Sequence, residues 1–106
     1  MNNLVRIESD SIGSIEVPSK ALWGAQTQRS IMNFAIGDDL IPLELIYALA
    51  KIKQAAATVN HRLGVLEEGH KNLIIKASEE IVSGVHNDQF PLKVWQTGSG
   101  TQTNMN

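Results

Sequence analysis

The chain of 106 residues has room for one small hydrophobic core, so we expect a single domain over residues 1–106. Apolar residues make up 42% of the sequence and charged residues 19%, which favours a globular protein over a disordered one. The net charge is -2, the lysines and arginines are scattered, and cysteine is absent. These features argue against nucleic-acid and membrane partners and exclude disulfides and thiolate metal sites. The opening segment has neither a secretory nor a transit-peptide pattern, so we expect a cytoplasmic protein.

The first element in chain order is an alternating segment over residues 6–18, in which apolar and polar residues alternate around Gly13. This alternation predicts two short strands or extended arms joined by a turn. After the break at Pro18, residues 24–34 mix helix formers with Thr and Ser, which favours a short helix over a strand.

The clearest periodicity lies in residues 42–63. Apolar residues recur there in alternating steps of four and three, which places one stripe along a helix: Leu45, Leu49, Ile52, Ala56, Val59 and Leu63. Pro42 fits the first turn of this helix, and Gly64 fits the left-handed position just past its end. The stripe is longer than one partner helix covers, which is compatible with an oligomer.

A second helix is predicted over residues 67–82, with Gly84 closing it. Its apolar side is predicted to consist of Leu73, Ile74, Ala77 and Ile81. The short link at Gly64 predicts that the two helices pack as an antiparallel pair. The fold class that follows is mainly α, with a short N-terminal extended or β arm followed by a small helical domain.

The C-terminal segment, residues 96–106, is rich in Thr, Gln, Asn and Gly, and Met105 is its one apolar side chain. A domain usually ends in an apolar element that docks or in a charged tail. We therefore expect the chain to be the first part of a longer protein.

Residues 97–101 (TGSGT) form the most informative local feature. The two glycines let the backbone approach a ligand closely, and the hydroxyls and backbone N–H groups can donate hydrogen bonds to an anion. If a helix begins at Gln102, the segment precedes its N-terminus, where unpaired N–H groups favour a carboxylate or phosphate. The residues alone do not separate such a site from an ordinary turn, and they match neither a P-loop nor a dinucleotide fingerprint.

The remaining polar residues form no recognisable catalytic set. His61, His70 and His86 lack the spacing of metal ligands, so we expect no metal site. The adjacent glutamates fit a solvated helix surface: Glu67, Glu68, Glu79 and Glu80. Arg29 stands apart because it lies among amides in a segment short of charge. Pairing with a carboxylate and an ordinary surface or interface role are both possible for Arg29.

Three stretches resemble the amino-terminal domain of class II fumarases, in the same order and with similar gaps: residues 22–30 (LWGAQTQRS), 88–92 (DQFPL) and 95–106 (WQTGSGTQTNMN). The likeness covers essentially the entire chain. Aspartate ammonia-lyases of the same superfamily typically read Gly-Gly-Ala-Gly-Thr where this chain reads Thr-Gly-Ser-Gly-Thr. Ser99 therefore favours the fumarase resemblance.

This resemblance implies the first domain of the fumarase/aspartase fold, followed by a central helical bundle through which a homotetramer assembles. It implies reversible hydration of fumarate to (S)-malate in the tricarboxylic acid cycle, without a cofactor. Ser99, Gly100 and Thr101 match the family's first substrate-binding segment, with Thr97 beside it. The family's catalytic acid and base lie in segments that this chain does not contain, so it is expected to be inactive alone.

Two alternatives stay open. One is the amino-terminal domain of an aspartate ammonia-lyase-like enzyme. Testing the full-length protein with fumarate plus ammonia and with fumarate plus water would distinguish this case. The other is a non-catalytic helical module that uses the same fold to contact partner chains. The sequence that follows Asn106 in the gene would decide this second case.

Overall fold

A computed structural model describes residues 4–95 and 100–106 of the chain. The elements, in chain order, are β1 (Val5–Ser9), β2 (Ser14–Pro18), α1 (Ala25–Asn33), α2 (Leu43–Arg62), α3 (Glu68–Val82), a 3₁₀ turn (Asn87–Gln89) and α4 (Thr101–Met105). The predicted class, mainly α with a short β arm and a helix pair, is confirmed. The chain divides into two compact units, which we name the hairpin unit (Met1–Ile41 and Asp88–Asn106) and the helix-pair unit (Pro42–Asn87).

The hairpin unit begins with the two predicted strands, which pair antiparallel with Arg6 opposite Val17. Asp10 and Gly13 close the turn between them through two backbone hydrogen bonds, of 3.1 and 3.2 Å. Gly13 has φ 147, a conformation that an L side chain rarely adopts, so a glycine is required there. The sequence-based prediction of a turn around Gly13 is confirmed.

The Arg6 side chain on β1 ties the hairpin to the segment that leads into α1. Its guanidinium donates to the backbone carbonyls of Pro18, Ser19, Ala21 and Trp23, over 2.6 to 3.2 Å. Its Nε also donates to the Glu8 carboxylate at 2.6 Å. Five donors in a rigid planar group suit this task, because an irregular segment presents several carbonyls in different directions.

The apolar core of the hairpin unit is small. Val17 and Leu92 are almost fully buried, and Ala21, Ala25 and Ile41 are also buried. Leu92 is fixed because its carbonyl accepts a hydrogen bond from the Ile41 N–H at 3.1 Å. Two positions along, the Val94 N–H donates to the Asp39 carbonyl at 2.8 Å. These bonds attach the residues before the predicted site to the loop that precedes α2.

The helix-pair unit has the boundaries that the sequence predicts. Pro42 is the N-cap of α2, and the helix ends in a Schellman motif in which the N–H groups of Gly64 and Val65 donate to the carbonyls of His61 and Asn60. Gly64 has φ 78, as its predicted left-handed position requires. The hydroxyl of Tyr47, near the start of α2, donates to Asn87, which follows α3, so the two helices run antiparallel.

The buried face of α2 is rotated by about one residue from the predicted stripe. Ile46, Ala50 and Ala57 are buried, whereas Ile52 is 63% and Leu63 is 70% exposed. On α3, Ser78 is buried and the predicted face residue Leu73 is 66% exposed, so the predicted face is wrong there too. Apart from Ile46, the buried positions of the two helices carry small side chains, which let helices approach closely, and large residues such as Ile52 and Leu73 are exposed.

None of the helices within residues 4–95 and 100–106 combines the length and the apolar character needed to span a membrane.

Candidate functional site

Gly100 and Thr101 are the described residues of the predicted substrate-binding segment; Thr97 and Ser99 lie outside the described residues. Gly100 has φ 82, and a Cβ built on it would meet no atom of residues 4–95 and 100–106 within 4 Å. The left-handed backbone by itself favours glycine at this position. Its carbonyl accepts a hydrogen bond from the Asn104 N–H at 3.1 Å, which joins it to the first turn of α4.

Helix α4 begins at Thr101, one residue earlier than expected, and the Thr101 residue is exposed. The described helix has only 5 residues.

The residues just before the segment are held by a close contact between Trp95 and Gly37. Gly37 has φ 73, and a Cβ added to it would lie 2.8 Å from Cδ1 of the Trp95 ring. Both the backbone conformation and the indole therefore require glycine. The Lys93 ammonium donates to the Gly37 carbonyl at 2.8 Å, so two side chains of residues 93–95 converge on one glycine.

The residues after the segment are held by α1. The Thr27 side chain is buried in α1, and its hydroxyl donates to the Met105 carbonyl at 3.0 Å. The side-chain amide atoms of Asn106 are also buried, but they have no hydrogen-bond partner among residues 4–95 and 100–106.

All three stretches that carry the fumarase resemblance meet in the hairpin unit. The Leu22 N–H donates to Oε1 of Gln89 at 2.7 Å, which joins the first stretch to the second across 67 residues. Thr27 joins the first stretch to the third across 78 residues. Within the first stretch, Nε1 of Trp23 donates to Oε1 of Gln28 at 2.9 Å. Sequence reasoning did not single out Thr27 or Gln89, because both partners lie far away along the chain.

Arg29 pairs with a carboxylate of its own chain. Its Nε and Nη2 donate to the two oxygens of Asp10 at 2.9 and 3.0 Å, and Nη2 also donates to the Gly13 carbonyl. The two side chains are only 20% and 10% exposed, so the pair is largely shielded from water. Arg29 thereby fastens α1 to the hairpin turn. Asp10 was missed in the sequence, although Asp followed three residues later by Gly is a known turn signal.

The Arg29 hydrogen bond, with help from the backbone N–H groups of Gly13 and Ile12, lowers the pKa of Asp10 to about 2. The same hydrogen bond raises the pKa of Arg29 above its ordinary value. Both groups are therefore charged across the neutral pH range.

The histidines have local partners: the Leu66 carbonyl for His61, Glu67 for His70 and Glu80 for His86. The His86 hydrogen bond lowers the pKa of Glu80. Within the described part of the chain, no three His, Asp or Glu side chains are grouped so that they could hold a metal ion.

A shallow groove of about 340 Å³ lies within the helix-pair unit and is lined by Lys53, Ala56, Ala57, Asn60, Leu66 and Ile74. Its lining is mostly apolar. A dicarboxylate requires several polar donors, so the groove does not match the chemistry predicted for residues 97–101.

The profile of the lyase family matches residues 13–106, so the chain belongs to this family of lyases. It is 67% identical over 106 residues to a class II fumarate hydratase of Prochlorococcus marinus (strain MIT 9313). It is 60% identical over 101 residues, 95% of the chain, to that of Pseudomonas putida. The sequence-based recognition of a class II fumarase relative is thereby confirmed.

Solved structures agree with this assignment. The class II fumarase from Schistosoma mansoni matches 94% of the chain with a TM-score of 0.92 and 46% identity, and the chain covers 21% of that structure. The native fumarate lyase:delta crystallin from Brucella melitensis matches 95% of the chain, with a TM-score of 0.90 and 39% identity, and 24% of that structure is covered. The chain likewise spans only 23% of the Prochlorococcus relative and 22% of the Pseudomonas one.

Proposed function

We propose that residues 1–106 form the amino-terminal domain of a fumarate hydratase, which interconverts fumarate and (S)-malate. The observation that carries this proposal is the 67% identity to a class II fumarate hydratase over the full length of the chain. The remainder of the enzyme, including its central helical bundle, would lie in the part of the relatives' length that this chain does not span.

Within that enzyme, Ser99, Gly100 and Thr101 would bind one substrate carboxylate, with Thr97 as a neighbouring donor. The support is chemical: hydroxyls and backbone N–H groups follow one another in a segment where Gly100 takes a left-handed turn. In the direction from malate to fumarate, a base removes a proton from the carbon beside this carboxylate, and the carboxylate becomes an aci-carboxylate dianion. Hydrogen-bond donors aimed at this developing charge would lower the barrier to its formation, and hydroxide then leaves from the neighbouring carbon.

The test uses the full-length protein, and the hydration of fumarate is monitored as a decrease in fumarate absorbance. Ser99→Ala and Thr101→Val should each lower kcat/KM by about a hundredfold, as expected for the loss of one donor to developing charge. Ser83→Ala is the matched control, because the exposed Ser83 hydroxyl donates only to the Glu80 carbonyl at the end of α3. Wild-type kinetics in both Ser99 and Thr101 variants would overturn the proposed site.

A parallel assay with fumarate and ammonia distinguishes the related ammonia-lyase function. A fumarate hydratase should form malate and no aspartate. Rapid formation of aspartate would show that the enzyme is an ammonia-lyase. The proposed carboxylate-binding site would still apply, because fumarate is the substrate in both reactions.

The 106-residue chain alone should not hydrate fumarate, because it contains none of the expected catalytic acid and base groups. Fumarate loss above the buffer rate at saturating substrate would contradict this. We further propose that the full-length enzyme is a cytoplasmic homotetramer of the tricarboxylic acid cycle. Light scattering of the purified full-length protein tests the tetramer directly.

For Arg29, the pairing with Asp10 favours a structural role over direct binding of substrate. In the full-length enzyme, Arg29→Ala should lower the melting temperature and leave KM for fumarate near its wild-type value. A large increase in KM with unchanged stability would instead make Arg29 a substrate contact.

A further inference from the structure

We propose that Thr27 is a positioning residue for the carboxylate-binding segment, acting through α4; this inference rests on the proposed function. The starting observation is the burial of its side chain, which is 3% exposed. A buried hydroxyl needs a hydrogen-bond partner, and Thr27 finds it in the Met105 carbonyl at 3.0 Å. That carbonyl lies 78 residues away along the chain, so the bond joins two separate elements.

Helix α4 connects this bond to the predicted site. A helix rises 1.5 Å per residue, so Met105 lies about 6 Å along the axis from Thr101. The Asn104 N–H donates to the Gly100 carbonyl, which joins Gly100 to the same helical turn. Fixing the position of Met105 therefore restricts where Gly100 and Thr101 can lie.

Helix α1, which carries Thr27, is itself held in place. Ala25 and Ser30 of α1 are buried, and Arg29 attaches the helix to Asp10 in the hairpin turn. The contacts thus run from the hairpin to α1, from α1 to α4, and from α4 to Gly100 and Thr101. A substrate donor misplaced by a fraction of an ångström binds a carboxylate poorly, so loss of the Thr27 bond should weaken substrate binding.

The experiment compares Thr27→Val with Thr58→Val in the full-length enzyme. Both substitutions keep the side-chain shape and remove a hydroxyl that donates to a backbone carbonyl. Thr58 donates to Gln54 within α2, at 3.2 Å, and lies in the helix-pair unit. Thr58→Val should leave KM for fumarate near its wild-type value, whereas Thr27→Val should raise KM by about tenfold.

Two more variants separate the hydroxyl from the packing of the side chain. Thr27→Ser keeps the hydroxyl and should retain a KM near wild type, and Thr27→Ala should raise KM as Thr27→Val does. If KM stays at the wild-type value in both the Val and Ala variants, or rises equally in Thr58→Val, the positioning role is wrong.

Thr101→Val, measured beside these, distinguishes the two proposals. A raised KM in Thr101→Val with a normal KM in Thr27→Val would overturn the positioning role alone. Wild-type values of both kcat and KM in Thr101→Val would overturn the proposed carboxylate contact of Thr101 itself.

Discussion

The two units of the chain are stabilised in different ways. The hairpin unit has little regular structure, and its distant segments are joined by side chains that bind backbone groups: Arg6, Arg29, Thr27, Gln89 and Lys93. The helix-pair unit is regular and local, with its ends set by Pro42 and Gly64 and small residues where its helices are buried. The proposed substrate segment belongs to the first unit.

The largest expected effect in this comparison is that of Arg6→Ala. It removes the donor from four backbone carbonyls and should lower the free energy of unfolding by about 3 kcal/mol. Both tryptophans, Trp23 and Trp95, belong to the hairpin unit, so their fluorescence during urea unfolding reports on that unit. Far-UV circular dichroism reports mainly on α2 and α3, which contain most of the helical residues.

Arg62→Ala is the control for this change, because Arg62 is exposed in the last turn of α2. This substitution should lower the free energy of unfolding by about 0.5 kcal/mol. A fluorescence midpoint that moves while the circular dichroism midpoint stays would show that the two units unfold separately. Equal effects of the two arginine variants would contradict the role given to Arg6.

Ala57→Leu should have the next largest effect, and it tests the helix-pair unit. Ala57 is 3% exposed, so a larger side chain there forces the packed helices apart and should cost about 2 kcal/mol. The neighbouring Ala56 is exposed, and Ala56→Leu should be nearly neutral. Urea unfolding followed by circular dichroism measures both. If Ala56→Leu destabilised the protein more than Ala57→Leu, the buried face of α2 would be the one predicted from the sequence.

Gly37→Ala should destabilise the hairpin unit by about 1.5 kcal/mol, because alanine is strained at its left-handed φ of 73. The added Cβ would also displace the Trp95 ring, which should change the near-UV circular dichroism spectrum. Gly64→Ala in the helix-pair unit carries the same backbone strain at φ 78 with open space around it. An unchanged tryptophan spectrum in Gly37→Ala would show that the indole does not contact Gly37 in solution.

The smallest effect should be the pH dependence contributed by Asp10. Its pKa is lowered to about 2 in the folded chain and is about 4 when unfolded, so the Arg29 pair stabilises the fold fully above pH 4. That stabilisation should decrease as the pH falls from about 4 towards 2. Asp10→Asn should remove this part of the pH dependence of the fluorescence midpoint, whereas Asp88→Asn, at an exposed position, should leave it in place. Parallel pH curves for the wild type and Asp10→Asn would refute the pairing.

The helix boundaries could be predicted from the sequence because they depend on single residues with strong local preferences. Pro42 and Gly64 determine where α2 begins and ends, and Gly13 determines the hairpin turn. The buried face could not be predicted in the same way. Periodicity shows which residues share a side of a helix, but which side is covered depends on the partner, and here small residues such as Ala57 make the contact.

The candidate site was predicted only in part, for a related reason. The glycines and hydroxyls of residues 97–101 are visible in the sequence because they are adjacent, and Ser99 and Thr97 remain predictions. The contacts that hold the segment in place are not visible, since Thr27 and Met105 are 78 residues apart. Local patterns therefore predict a binding segment, whereas the contacts around it required the folded chain.

The hairpin unit draws on two separated parts of the chain, and this has a consequence for biosynthesis. The helix-pair unit is contiguous, so it emerges from the ribosome before Gln89 and Met105, the partners of Leu22 and Thr27. Local contacts form faster than distant ones, so α2 and α3 can fold first. The Leu22 N–H and the Thr27 hydroxyl must then wait for their partners, so the segment that leads from the hairpin into α1 is completed last.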